Sequence, residues 1–246
     1  MGYRIGFDIG STTIKAVVLD ENNQICYKSY ERHKAQVRQK ALDKLVELKK
    51  YTKEPFKFAI SGSGALGLCE QGELPFVQEV FASATGVSKL YPETDCAIEL
   101  GGEDAKILFF QGSVEQRMNS TCAGGTGAFI DQMATLLNMS LEEMNEASLN
   151  YHRLYPIASR CGVFAKTDIQ PLINQGVDKC DLCASIFQAV VDQTITSLAQ
   201  GRKIEGNILF LGGPLYFMSG LRNRFVETLK LSDVQVNCPD TAINFV

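Results

Sequence analysis

Nowhere in the 246 residues is there an uninterrupted apolar run approaching the roughly eighteen positions that a membrane-spanning helix needs. The N-terminus passes straight into a strand pattern with no leader-like segment. An excess of positive charge is also missing: 24 Lys and Arg stand against 28 Asp and Glu, a formal net charge of -4. That sign is wrong for a chain that neutralises nucleic-acid phosphates. Histidine is scarce, and His33 and His152 lie in polar stretches with no common spacing to each other or to any cysteine, so neither is assigned a catalytic role. The pair Cys180 and Cys183 has no second Cys-x-x-Cys to complete a four-ligand set within one chain. These absences agree with a cytoplasmic enzyme that has neither membrane nor nucleic acid as partner and decide little more, and 45% hydrophobic content is enough for two cored lobes.

What the chain does have is one phrase said twice. Residues 3–9 form an apolar, β-rich run ending in an acid, and residues 14–19 resume a β-branched pattern a few positions later. Between them lie Asp8, Gly10, Ser11, Thr12, Thr13 and, on the returning strand, Lys15. Gly10 allows a tight turn and the close approach of an anion. The three hydroxyls and the neighbouring backbone N–H groups make a concave anion site. Asp8 is expected to face a cation or a water, because a bare carboxylate repels phosphate. The second copy runs from Ala97 through Glu99, Gly101, Gly102, Glu103 and Asp104 to Lys106 and a returning strand over 106–110. A third glycine turn, Gly212-Gly213-Pro214, follows an apolar strand ending at Leu211. Any one of these is equally an ordinary hairpin; three of them point to a phosphate chain gripped by two similar lobes.

The eight cysteines divide by context. With no export signal they belong to a reducing compartment, where metal ligation is favoured over disulfides. Cys26, Cys69, Cys96 and Cys238 are isolated and read as small buried hydrophobes. Cys180 and Cys183 fall three apart in a helical stretch, residues 178–200, and read as packing, with a cluster or regulatory role as the alternative. Cys122 and Cys161 each precede a glycine-containing step into a helical run, 129–137 and 162–173. A helix N-terminus favours a thiolate. On residue chemistry alone, glycine-flanked core cysteines stand equally.

These segments carry a resemblance. The three turns look like the phosphate-one, phosphate-two and adenosine motifs of the acetate and sugar kinase, Hsp70 and actin superfamily. Residues 119–127, Asn-Ser-Thr-Cys-Ala-Gly-Gly-Thr-Gly, and 158–165, Ala-Ser-Arg-Cys-Gly-Val-Phe-Ala, resemble the activators of 2-hydroxyacyl-CoA dehydratases and the related benzoyl-CoA reductase ATPase subunits. The resemblance spans essentially the whole chain. It implies two ribonuclease-H-like, actin-like ATPase lobes, each a mixed sheet flanked by helices, at 1–90 and 91–246, with Mg-bound ATP or ADP in a cleft between them. It implies a homodimer sharing one [4Fe-4S] cluster through Cys122 and Cys161 of each subunit, and ATP hydrolysis that drives one electron onto a dehydratase or reductase partner, with ferredoxin or flavodoxin as donor. Asp8 and Glu99 would be catalytic, Glu99 positioning the lytic water. The chain departs from the family in having Glu99 where aspartate is expected and Glu103 in place of glutamine.

The remaining expectations are simpler. Residues 61–67, dense in glycine, read as a crossover between lobes, with a further phosphate loop as the alternative. Lys15 and Lys106 either neutralise phosphate or are solvated, Asp131 complements a helix dipole, and the basic residues of 44–53 form a solvated helix face. A strand is expected at 234–237, after which the superfamily usually adds a final helix packing on the first lobe; the sequence reads as a piece of a longer polypeptide with apolar surface left on that lobe. The rival functions are a small-molecule kinase of the same superfamily and a nucleotide-gated interaction module.

Overall fold

A computed structural model describes residues 2–53, 55–119, 124–159 and 161–239 of the chain. Two compact units emerge, one ending at Pro92 and one spanning Glu93–Pro239.

The first unit is built on β1 (Tyr3–Ile9), β2 (Thr13–Leu19), β3 (Ile25–Arg32), α1 (Val37–Leu48), β4 (Phe56–Ser61), α2 (Leu66–Gly72) and α3 (Glu79–Leu90). Its sheet has the order β3-β2-β1-β4, antiparallel except for the parallel pairing of β1 with β4. Alternation along β1 sends Ile5, Phe7 and Ile9 into a core with Ile14, Ala16 and Val18 of β2, Ile60 of β4, and Ala41 and Leu48 of α1. Each Ile, Val, Leu or Phe among them contributes about 1.5–3 kcal/mol on burial. The opposite face of the sheet and α3 enclose an open groove of about 820 Å³ whose walls include Gly6, Asp8, Val17, Leu19 and Phe81.

The second unit repeats the plan and extends it. Here β5 (Cys96–Leu100), β6 (Ala105–Phe109) and β7 (Glu115–Asn119) are followed by α4 (Gly127–Leu137), α5 (Leu141–Ser148), α6 (Gly162–Asn174) and α7 (Lys179–Thr194). β8 (Ile208–Leu211), α8 (Gly213–Phe217), α9 (Ser219–Leu229) and β9 (Val236–Asn237) complete it. The sheet order is β7-β6-β5-β8-β9, with β5, β8 and β9 mutually parallel. One core joins Ile98, Leu100 and Ile107 of the sheet to Phe129 and Met133 of α4, Phe187 and Val190 of α7, and Phe225 of α9. Two mixed sheets that share one four-strand order, the second with β9 added, and flanking helices on each make this the actin-like α/β fold that the resemblance implies.

Several local expectations are corrected. Residues 61–67 are no crossover between lobes: they form a 3-10 turn and the start of α2, inside the first unit. Lys44 is buried rather than solvated, ion-paired with Glu31 and Glu47. Those hydrogen bonds raise its pKa against the opposing effect of desolvation, which is the largest single influence. Cys26 is exposed, since β3 is a sheet edge and that residue points outward. Asp131 lies beyond the first turn of α4, too far along to cap its dipole. Only residues 236–237 of the expected strand at 234–237 pair, because a 3-10 turn occupies Asp233–Gln235. The stretch Lys179–Ala199 is long and apolar enough to cross a membrane by length and composition, but it is mostly buried in the second unit and serves as its central helix.

Candidate functional site

The two acidic hairpins match at the level of hydrogen bonds. In the first, the Gly10 amide donates to the Thr13 carbonyl at 2.9 Å; in the second, the Gly101 amide donates to Asp104 at 2.8 Å. Asp8 faces Lys15 across β1 and β2, and Glu99 faces Lys106 at the same register across β5 and β6. Both pairs close: Nζ of Lys15 donates to Oδ2 of Asp8 at 2.8 Å, and Nζ of Lys106 to Oε1 of Glu99 at 3.4 Å. All four side chains are at least largely buried, so neither lysine is solvated. The other Asp8 oxygen, Oδ1, is buried with no hydrogen-bond partner among the described residues. A buried carboxylate oxygen of this kind fits a donor such as water or a hydrated cation. Gly10, Ser11 and Thr12 are half-buried at the turn, while Thr13 begins β2 and is buried. Glu103 is exposed, and Gly101 and Gly102 are half-buried.

A second correspondence was not visible in the sequence. β4 runs parallel to β1 and ends at Ser61 opposite Asp8; β8 runs parallel to β5 and ends at Leu211 opposite Glu99. Each is followed by a glycine in the same unusual conformation, Gly62 at φ 96 and ψ 150 and Gly212 at φ 89 and ψ 158. A Cβ on Gly62 would stand 2.3 Å from Oδ1 of Asp8, and one on Gly212 would stand 2.0 Å from the Leu100 carbonyl. Both positions therefore demand glycine for backbone and for space. Gly213 and Pro214 follow at the start of α8. His33, set aside above, is also drawn in: it is buried, its amide donates to Thr12, and Nε2 sits 3.1 Å from the Gly10 carbonyl. Its surroundings in sequence are polar, so only the tertiary contact reveals it.

Cys122 lies outside the described residues. Cys161 is the N-cap residue of α6, half-buried, with no side-chain cap of its own. The first turn beyond it presents Val163 and Phe164 at 68% and 64% exposure, an apolar step beside a thiol. Helix α4 packs against this point: Gly162 lies against Phe129 and Gln132, and a Cβ there would come within 3.1 Å of the Gln132 Oε1. Among the described residues no group of three or more His, Cys, Asp or Glu converges. A thiol at a helix N-terminus on an accessible apolar surface fits one ligand of a cluster completed from elsewhere, and does not fit a site closed within these residues alone. Cys183, by contrast, is fully buried against Met139, and desolvation pushes its thiol up to about 12. Cys180, at the first turn of α7, is also raised, by burial and then by Asp178. Neither is poised as a thiolate, which supports the packing reading of this pair.

Asp8, the residues 10–13 and Lys15 are thus gathered at one end of the first sheet. Glu99, the residues 101–103 and 212–214 are gathered at the corresponding end of the second. Gly127, which the sequence reading used only as part of a motif, belongs with the latter, within van der Waals reach of Gly101, Gly102 and Pro214.

The sequence profile of the BadF/BadG/BcrA/BcrD ATPase family matches residues 5–241. The activator of lactoyl-CoA dehydratase from Anaerotignum propionicum is 29% identical over 217 residues, covering 86% of this chain and 83% of its own. Among solved structures, component A of the (R)-2-hydroxyglutaryl-CoA dehydratase of Acidaminococcus fermentans superposes with a TM-score of 0.87 at 26% identity, over 99% of this chain and 94% of that one. The activator of the 2-hydroxyisocaproyl-CoA dehydratase from Clostridium difficile, solved with bound ADPNP, gives a TM-score of 0.85 at 26% identity, over 99% and 91%.

Proposed function

Given that the chain belongs to the BadF/BadG/BcrA/BcrD ATPase family, we propose that it is an ATP-hydrolysing activator that delivers a low-potential electron to a 2-hydroxyacyl-CoA dehydratase or a related reductase. In this reading the protein works in the cytoplasm as a homodimer, fed by a ferredoxin or flavodoxin. The observation that carries it is Cys161: a half-buried thiol beside exposed Val163 and Phe164, in a chain similar over most of its length to dehydratase activators. A small-molecule kinase has no use for that arrangement.

The nucleotide would be held by the backbone and hydroxyls of Gly10, Ser11, Thr12 and Thr13, by Gly101, Gly102 and Glu103, and by Gly212, Gly213 and Pro214. Lys15 stays with Asp8 and tempers its charge, and Oδ1 of Asp8 would be the oxygen offered towards a hydrated magnesium ion. Glu99 orients the attacking water, and its bond to Lys106 fixes the direction of the carboxylate. Cys122 and Cys161 of each subunit would supply four thiolates to one [4Fe-4S] cluster, with Val163 and Phe164 covered by the partner. Bound there, the cluster supplies the one-electron chemistry that no side chain of the protein provides.

Purification without oxygen, followed by iron and acid-labile sulfide determination, tests this directly. About two irons per chain are expected, half of a cubane, and both Cys122→Ser and Cys161→Ser should abolish them. Absence of iron under those conditions, with both variants behaving as the parent, would overturn the activator reading.

A further inference from the structure

The first acidic turn is held from outside by one residue. Nε2 of His33 lies 3.1 Å from the carbonyl oxygen of Gly10, and the His33 backbone N–H donates to the Thr12 carbonyl at 3.2 Å. A carbonyl can only accept, so Nε2 carries the proton in this contact. The other ring nitrogen, Nδ1, is buried with no hydrogen-bond partner among the described residues. His33 is 5% exposed, so the imidazole is enclosed with only one of its nitrogens bonded. For packing alone an apolar side chain of similar size would serve better, since it would bury no polar atom without a partner.

The backbone on both sides sets this placement. Thr13 of β2 lies opposite Arg32, the last residue of β3, so the next residue along falls beside the turn. Directly afterwards Lys34 and Ala35 hold φ of 48° and 62°, a left-handed conformation that residues with a Cβ rarely take. The reversal they make brings the Gln36 N–H onto the His33 carbonyl at 2.8 Å. Strained residues of this kind persist where their surroundings over-determine them, and they cluster at functional sites.

The second unit holds the same atom by other means. Gly101 is the counterpart of Gly10, and its carbonyl accepts from the Gly127 N–H at 3.0 Å. In both turns the first glycine's carbonyl is therefore bonded by a donor from outside the hairpin, a ring nitrogen in one and a backbone amide in the other. In a trans peptide the C=O and the following N–H point in opposite directions. Holding the Gly10 carbonyl on His33 thus turns the Ser11 amide to the far side of the turn. Once released, a peptide that follows a glycine meets little steric resistance to the reverse orientation. That orientation would aim a carbonyl oxygen at an anion where a donor is needed.

We propose that His33 is a positioning residue for the nucleotide: its Nε2–H holds the Gly10–Ser11 peptide in the orientation that presents the Ser11 amide to a phosphate. The proposal rests on the reading of residues 10–13 as phosphate-holding, and it adds the side chain that keeps them in shape.

The test compares the full chain with His33→Leu, which removes the donor, and with His33→Gln, whose amide nitrogen can stand where Nε2 does. Mg-AMPPNP affinity is measured by calorimetry. The ring nitrogens of the parent are read in nitrogen-15 spectra, in which His152 is the only other histidine and the His33 signals are those absent from the variants. The parent should show Nε2 protonated and Nδ1 bare. His33→Leu should weaken AMPPNP by about tenfold or more, the scale of one lost hydrogen bond, and His33→Gln should restore affinity to within about threefold of the parent. The melting temperature of nucleotide-free His33→Leu should stay within about four degrees of the parent's. Should His33→Leu fail to fold, His33→Phe takes its place with the same expectations. A folded donor-free variant that binds as tightly as the parent would overturn the proposal, as would His33→Gln binding no better than His33→Leu. A parent ring protonated on Nδ1 with Nε2 bare would overturn it without any variant. A parent that binds no AMPPNP would overturn the phosphate-holding reading of residues 10–13 itself, and this proposal with it.

Discussion

Glu99 and Lys106 face one another across β5 and β6 at 3.4 Å, both largely buried, in the register that Asp8 and Lys15 occupy across β1 and β2. Removing the cation takes a charge partner from a carboxylate in a poorly solvated place. Lys106→Met should therefore lower stability by about 3 kcal/mol in urea unfolding, at the low end for a broken buried pair. Adding Glu99→Leu should recover most of that loss, because replacing both partners by apolar groups removes the buried charge as well. A double variant as unstable as the single one would show that the pair itself is not what Lys106 serves.

Hydrolysis should separate from binding at the same pair. Glu99→Gln keeps the shape and a hydrogen-bonding oxygen but removes the charge to which we assign the orienting of a water. Single-turnover phosphate release should fall about 10²–10³-fold, the range for loss of a positioned acid or base. The dissociation constant for Mg-ATP should stay within about threefold, since the turn amides are untouched. A large loss of affinity with normal turnover of the bound fraction would place Glu99 in binding instead.

Gly212 tests the parallel-strand side of the site. Its φ of 89 and the 2.0 Å separation of a would-be Cβ from the Leu100 carbonyl leave no room for alanine. Gly212→Ala should cost at least about 2 kcal/mol, combining the strain of an extended positive-φ conformation that essentially only glycine adopts with displacement of a strand carbonyl. Gly112 also has positive φ, at 87, but nothing within 4 Å of its Cβ. Gly112→Ala should lose only about 1 kcal/mol, so thermal melts of the two variants separate strain from crowding.

The acidic turns and the third glycine turn were legible because their signals are local: an alternating strand, an acid at its end, a glycine, a returning strand. Cys161 was legible for the same reason, standing just ahead of a helical run. Gly62, His33 and the pairing of Lys106 with Glu99 were not, since each depends on which strand lies beside which. Gly62 matters because β4 is parallel to β1, a fact that no window of residues 56–67 contains. Lys44 misled because a cation on a helix is normally solvated, and only the placement of Glu31 on β3 gives it reason to be buried.

The two cysteine classes should part in one experiment. Cys183 is packed against Met139 in the core of the second unit, with its thiol pushed up to about 12 by burial. Cys183→Ala should destabilise by about 1–2 kcal/mol through the lost volume and leave iron content unchanged. Cys161→Ser, at a half-buried helix start, should leave the melting temperature of the metal-free protein within a degree or two, the range of a near-neutral surface change, while removing iron altogether. Loss of iron in Cys183→Ala without loss of stability would make the Cys180–Cys183 pair a ligand set and reverse the assignment.

Acid stability should report on Asp181. Its Oδ1 accepts the backbone amides of His152 at 2.7 Å and Arg153 at 2.9 Å, and these two bonds, in that order, hold the carboxyl below its ordinary value. A depressed carboxyl adds stability above its unfolded pKa, near 3.9, and that contribution drains away as pH falls through the lower folded value. Asp181→Ala should therefore cost on the order of 2 kcal/mol at pH 7, for two charge-assisted bonds lost together. The gap between variant and parent should hold constant down to about pH 5 and narrow below about pH 4. Equilibrium urea unfolding from pH 7 to pH 3 checks the sign: a gap that widened on acidification would mean that the protonated form of Asp181 is the one the fold prefers.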